Sequence, residues 1–226
     1  MKRLGLTLLL AFIFVTAACS RLPELKPAAG DFKAGAPQKC RAIFPQGKWQ
    51  ITHAIEAAYP GGGETLLMGV TVIDASPRTI AAALMTVEGV VLLQASLDKT
   101  LTVQRALPPF DREGFAAGLL ADIRLMFMEP DAGLVQTGTI QAPTGADAKP
   151  GCRYQGDNGM ITDILPGDGN DWQIAHYNPR GSLVRTVSAR PAGGQAGLPG
   201  RMRLTASGPG GYTLKLKLID AVQLGD

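Results

Sequence analysis

Apolar and polar residues alternate along most of this chain, and the alternation predicts strands. Between Trp49 and Leu107 the pattern is a meander. Ile51, His53, Ile55, Ala57 and Tyr59 interleave with Thr52, Ala54, Glu56 and Ala58, the two-residue period of a pleated strand. Runs at 66–73, 79–87, 90–97 and 101–107 follow, separated by turn residues at 60–63, 74–77, 88–89 and 98–99. Glu88-Gly89 is a tight connection of hairpin type. The run at 79–87 is apolar on both faces, with Ile80, Ala82 and Leu84 on one and Ala81, Ala83 and Met85 on the other. A half-exposed sheet alternates more cleanly. One face is therefore expected to meet a helix, and the other a second layer or a partner.

At 110–130 the period changes. Phe115, Leu119, Ile123 and Met126 recur at helical spacing, with Leu120 and Phe127 widening the face. Asp111 is the expected N-cap and Glu113 lies in the first turn, where negative charge suits the free amides. Arg112, Asp122 and Arg124 fall to the other sides, and Pro130 marks the stop. A weaker segment, 131–138, reads as a second short helix. Beyond a polar Pro/Gly loop at 143–151, short strands return at 152–154, 160–165, 172–177, 183–189, 202–206 and 212–222. In the last, Tyr212, Leu214, Leu216 and Leu218 face one way and Lys215 and Lys217 the other. The expectation is a mainly β domain of about 11 strands with one or two helices. The apolar stripe of the helix either fills a solid core or lines a cavity, and the pattern alone leaves both open.

Composition agrees with a turn-rich β protein: 28 Gly and 16 Pro stand in 226 residues, 46% of which are hydrophobic. That apolar share excludes a disordered chain. The termini change the charge picture. Without residues 1–18, Lys2 and Arg3 are lost and 20 basic side chains face 19 acidic ones. This balance supplies no electrostatic reason to expect nucleic acid.

The first residues are a secretory signal. Lys2 and Arg3 form a positive start, 4–15 is apolar, and Thr16-Ala17-Ala18 places small residues before Cys19. The stretch resembles a bacterial lipobox. The resemblance implies a diacylglyceryl group on Cys19, cleavage after residue 18 and acylation of the new amine. Thr16 stands where Leu is usual, and Ser20 follows the cysteine in place of Asp, which favours outer-membrane sorting in a Gram-negative envelope. Two or more acyl chains suffice for stable attachment. Residues 19–39, with Pro23, Pro27, Gly30, Gly35 and Pro37, read as a lipidated N-terminus and flexible tether reaching on the order of 25 Å. The β domain is then expected over 40–226.

Cys40 and Cys152 are the cysteines that remain. In an oxidising compartment they read first as a disulfide, with two buried thiols or a metal site as alternatives. No Cys or His stands at zinc-like spacing to favour metal. Catalytic signals are weak. No Gly-x-Ser-x-Gly elbow is present, and Gly61–Gly63 lack the Lys-Ser/Thr of a phosphate loop. His53 and His176 lie on separate strands with no nucleophile beside either in sequence. Asp168 and Asp171 stand in a Gly-rich turn without an EF-hand series, and Trp49 and Trp172 read as packing residues.

The order of strands, helix and further strands resembles the LolA/LolB family of outer-membrane lipoprotein carriers and receptors. The matching features are the lipobox, the meander, Leu107-Pro108-Pro109-Phe110-Asp111 leading into 119–127, Trp172 within 172–177, and the closing strand 212–218. The resemblance spans 40–222 and implies a strongly curved antiparallel sheet, an incomplete barrel with lid helices over an apolar cavity. A narrower LolB-like branch is associated with gene clusters for acyl or polyene lipids. LolB-like receptors carry a projecting apolar-tipped loop among the early strands, whereas the turns here at 60–63, 74–77 and 88–89 are short. The resemblance thus implies a monomeric, non-catalytic lipoprotein on the periplasmic face of the outer membrane, without cofactor. It would bind or transfer a lipid, an acylated protein or a lipid-linked product. Phe115, Leu119, Ile123, Met126 and Phe127 are the expected cavity lining, with Met adaptable to varied ligand shapes. The alternative is a structural or assembly lipoprotein whose sheet edge docks an envelope partner.

Overall fold

The computed structural model describes residues 22–27, 31–141, 148–167, 171–191 and 198–225. A short strand β1 (Leu25–Pro27) and a helix α1 (Asp31–Arg41) open the domain. Five strands follow: β2 (Lys48–Tyr59), β3 (Gly63–Asp74), β4 (Thr79–Met85), β5 (Val91–Leu97) and β6 (Leu101–Ala106). Helix α2 (Phe115–Phe127) then leads into β7 (Gly133–Gln141), β8 (Ala148–Gln155) and β9 (Ile161–Pro166). The chain closes with β10 (Trp172–Tyr177), β11 (Leu183–Arg190), β12 (Arg201–Ala206) and β13 (Tyr212–Leu224).

All 13 strands share one curved sheet in the order β1-β7-β8-β9-β10-β11-β12-β13-β2-β3-β4-β5-β6. Every pairing is antiparallel. The two halves of the chain join through β13 and β2, in register from Thr213↔Ala58 to Leu224↔Lys48. The edges β1 and β6 do not pair with each other, so the barrel stays open. The path from β6 to β7 must therefore pass from one edge of the sheet to the other. A 13-residue helix in that connection is about 20 Å long and lies across the concave side. Its Leu120, Ile123, Met126 and Phe127 join a core with Ile51, Ile80, Leu93, Ile174 and Leu204 from the strands. Side chains one step along each strand point to the convex side.

Four features differ from the sequence expectation. Leu25–Pro27 and Asp31–Arg41, placed in the tether by composition, are a strand and a helix. Leu25 buries against Ile140 and Leu165, and α1 buries Ala36 and Cys40 on β8 and β9. These long-range contacts supply what local propensity lacks. The segment 131–138 is not a helix: from Gly133 on it is strand. Thr137, Thr139 and Ile140 suit a pleated surface, and β1 and β8 pair it from both sides. These additions account for the strands beyond the expected eleven. Helix α2 starts at Phe115, not after Asp111. Gly114 holds the left-handed conformation at φ 79° and no side chain caps the end. The turn before it folds Phe110 edge-on against Phe115, with ring centres 5.2 Å apart. Finally, Asp122 is buried and not on an outer face.

The disulfide Cys40–Cys152 is formed, with Cα atoms 6.4 Å apart and a sequence separation of 112. It ties the last turn of α1 to β8. Closing a loop of that length is worth about 4–5 kcal/mol in the chain-entropy model.

Candidate functional site

Two spaces flank α2, and they differ greatly in size. The larger is a cleft of about 720 Å³ along its second half. One wall is Ala121, Leu125 and Met128 of the helix and its exit, continuing to Ala132. The opposite wall is the β8–β9 turn, Gly156 to Met160, with Thr162, His176, Val184 and Arg185 from the neighbouring strands. The smaller space, about 30 Å³, lies under the helix among Leu119, Ile123, Met126, Phe127 and His53. That is room for about one water.

The five helix residues named from sequence therefore sit apart from the larger cleft. Leu119, Ile123, Met126 and Phe127 border the small space, and Phe115 packs on Phe110. None of the five lines the larger cleft. Cys19 and Asp168 lie outside the described residues.

Asp122 stands between the two spaces and lines both. Its Oδ1 accepts from Arg185 Nε at 2.9 Å, and its Oδ2 accepts from the Tyr212 hydroxyl. Arg185 also lies over the Tyr212 ring, 5.6 Å from its centre. Only 3% of Asp122 is exposed, whereas the Arg185 side chain keeps 27%. Burial raises the Asp122 pKa, and the two donors oppose that rise. Burial, then the charge of Asp122, pushes the Tyr212 hydroxyl up as well, so it stays protonated as the donor. The cluster joins α2 to β11 and β13 and places a cation at the cleft wall. His176 shares a hydrogen bond with Thr162, Nδ1 to Oγ1 at 2.9 Å. Burial, with a further push from Arg185, lowers its pKa, so the ring is neutral at neutral pH. His53 is deep in the core beside the Phe127 ring, and burial lowers it to about 4. The two histidines face different spaces.

Ion pairs hold the helix exit. Arg41 reaches Glu129 at 2.8 Å, and Asp131 accepts from Arg78 at 2.6 Å and Arg124 at 3.2 Å. Arg78 also donates to the Glu129 carbonyl at 2.8 Å. These contacts tie the cleft wall after Met128 to α1 and to the β3–β4 turn.

Sequence reading missed Asp122, Arg185 and Tyr212. One signal was present. Asp122 is three residues after Leu119 and four before Met126, in the middle of the apolar stripe. A carboxylate there needs a partner when the stripe is buried. The partners come from strands 63 and 90 residues further along, and no local pattern names them.

No protein-family model matches the chain, and no curated protein sequence matches it. Solved structures do. The chain is similar to a LolA superfamily protein from Nitrosomonas europaea, at TM-score 0.54 and 14% identity, over 88% of this chain and 95% of that one. It also aligns with a structure described as an outer membrane lipoprotein-sorting protein domain from Vibrio parahaemolyticus, at TM-score 0.46 and 11% identity. That alignment covers 82% of this chain and 89% of the other. The fold is LolA-like.

Proposed function

We propose that this protein is a lipid-anchored outer-membrane lipoprotein that holds or passes on a lipid, an acylated protein or a lipid-linked product, without catalysis. The observation that carries the reading is the cleft of about 720 Å³ beside α2. Its volume falls within the range of about 300–1,000 Å³ usual for small-molecule pockets. Leu125, Met128 and Met160 supply apolar lining. An acyl chain occupies the cleft first. Extending beneath α2, past Leu119, Ile123, Met126 and Phe127, requires the helix to lift. Anchoring is through Cys19, once residues 1–18 are removed. The LolA-like fold adds support at the level of analogy only.

Native mass spectrometry of the purified mature protein tests the cleft, reading only mass bound in addition to the covalent acyl groups at Cys19. The wild type is expected to carry an acyl-chain mass. Leu125→Arg, which puts a solvated charge into the open cleft, is expected to lose it with melting unchanged. A wild type that carries no lipid and binds no apolar dye rejects the reading. In that case the alternative leads: a structural lipoprotein docking an envelope partner through β6, whose Leu101 and Val103 are exposed on the free edge. Fatty-acid labelling of Cys19→Ala tests the anchor separately, with label expected to vanish.

A further inference from the structure

The convex side of β11, β12 and β13 carries Arg190, Arg201, Arg203, Lys215 and Lys217. They alternate with the core residues Met202, Leu204 and Leu216, so all five point away from α2. The register sets three like-charged pairs directly opposite one another: Arg190 with Arg201, Arg201 with Lys217, and Arg203 with Lys215. Cross-strand partners lie about 5 Å apart, and like charges so placed weaken the sheet. Among the described residues, the one salt bridge made to them is from Glu56, at 2.9 Å from Lys215. Among the described residues, no salt bridge engages Arg190, Arg201, Arg203 or Lys217. Asp220 stands on β13 beyond Lys217, past a bulge. The cations border a shallow trough of about 550 Å³. Repulsion built into the register in this way is relieved by an external anion.

Where the N-terminal segment runs says which anion. Cys152 and Ile164 face the core, so Arg153 and Asp163 beside them face the convex side. Arg153 pairs with Asp163 at 2.7 Å and donates to the Pro23 carbonyl at 2.9 Å. Residues 22–25 therefore cross the convex face of β8 and β9, and Leu25 is buried there with Ile140 and Leu165. Cys19 precedes Leu22 by three residues, a reach of about 10 Å. Leu22 lies against Gly181 in the β10–β11 turn, so an acyl group on Cys19 leaves the domain near the start of β11, the strand whose far end, about 30 Å away, carries Arg190.

We propose that the convex face of β11–β13 docks on an anionic phospholipid surface, its cations seated among the phosphates. Holding that face at a membrane rests on the lipidation of Cys19; the basic face stands without it.

The test uses the chain from Ser20 onward, which lacks both the apolar segment 4–15 and the anchor but keeps every described strand and helix, and sedimentation with vesicles. Vesicles of phosphatidylglycerol and phosphatidylethanolamine are compared with pure phosphatidylcholine. Binding to the anionic vesicles is expected, weakening as salt shortens the screening length. Arg201→Glu, Arg203→Glu and Lys217→Glu together are expected to weaken it by about 100-fold, from the usual gain per basic residue at such a surface. A control with the same charge change elsewhere, Lys99→Glu, Arg105→Glu and Arg112→Glu, is expected to stay within about threefold. The triple Gln variant at 201, 203 and 217 guards against misfolding. It removes the repulsion, so its melting temperature is expected to hold or rise while binding falls. Equal loss in the control, or no binding of the parent chain to anionic vesicles, overturns the proposal. Fatty-acid labelling at Cys19 reads the anchor independently, so the two failures are distinct.

Discussion

Replacing His53 by Phe should flatten the acid side of the stability profile. His53 is 3% exposed, on β2 under the end of α2, with its ring 5.8 Å from that of Phe127. Burial lowers its pKa from 6.5 to about 4. The unfolded chain therefore binds more protons between those values, and stability rises with pH there. The contribution is complete above about pH 6.5 and is lost as pH falls toward 4. Linkage gives about 2 kcal/mol lost between pH 7 and pH 5, and about 3 kcal/mol by pH 4. His176, also lowered by burial, adds a loss of the same sign. Asp122 and Asp163 act oppositely, because burial raises both and their cost to the fold is relieved on protonation. The difference between wild type and His53→Phe cancels these other groups. Phe keeps a ring against Phe127, and the space of about 30 Å³ beside it takes part of the larger side chain. Urea denaturation at pH 7 and pH 5 measures the result. The wild type should lose about 2 kcal/mol more than the variant. Equal losses would refute the reasoning, since His53 would then have to be charged in the folded state.

Two further changes probe the frame. Removing the disulfide as Cys40→Ala with Cys152→Ala should cost about 4 kcal/mol, read in the shift of the denaturation midpoint; a wild type indifferent to reductant would contradict this. Asp122→Ala leaves Arg185 without its carboxylate, and a fully buried pair broken this way loses about 3–5 kcal/mol. Arg185 regains some water, so about 2–3 kcal/mol is expected, with Asp122→Asn milder. A loss below about 0.5 kcal/mol for the alanine variant would mean that the cluster is not what joins α2 to β11 and β13.

Legible in the sequence was everything carried by local periodicity. Alternation placed β2–β6 and β9–β13 close to where they lie, and the helical stripe from Phe115 to Phe127 named α2. Counting cysteines found the partner of Cys40, because only Cys152 was left to pair with it. The rest depended on residues far apart in the chain. Leu25–Pro27 and Gly133–Gln141 are strands because they complete each other and β8, not because their own composition demands it. Asp122 is buried because Arg185 and Tyr212 arrive from strands on the other side of the helix. The stripe of α2 was correctly found to be apolar, but a period cannot tell a filled interior from a hollow one. That depends on how far the sheet curves and how closely the helix approaches it. Here the approach leaves a water-sized gap beneath the stripe and opens the real cleft on its flank, where Leu125 and Met128 were not expected to matter. The like-charged rows of the convex face are likewise invisible along the chain. Arg201 and Lys217 are 16 residues apart, and only the antiparallel register sets them side by side.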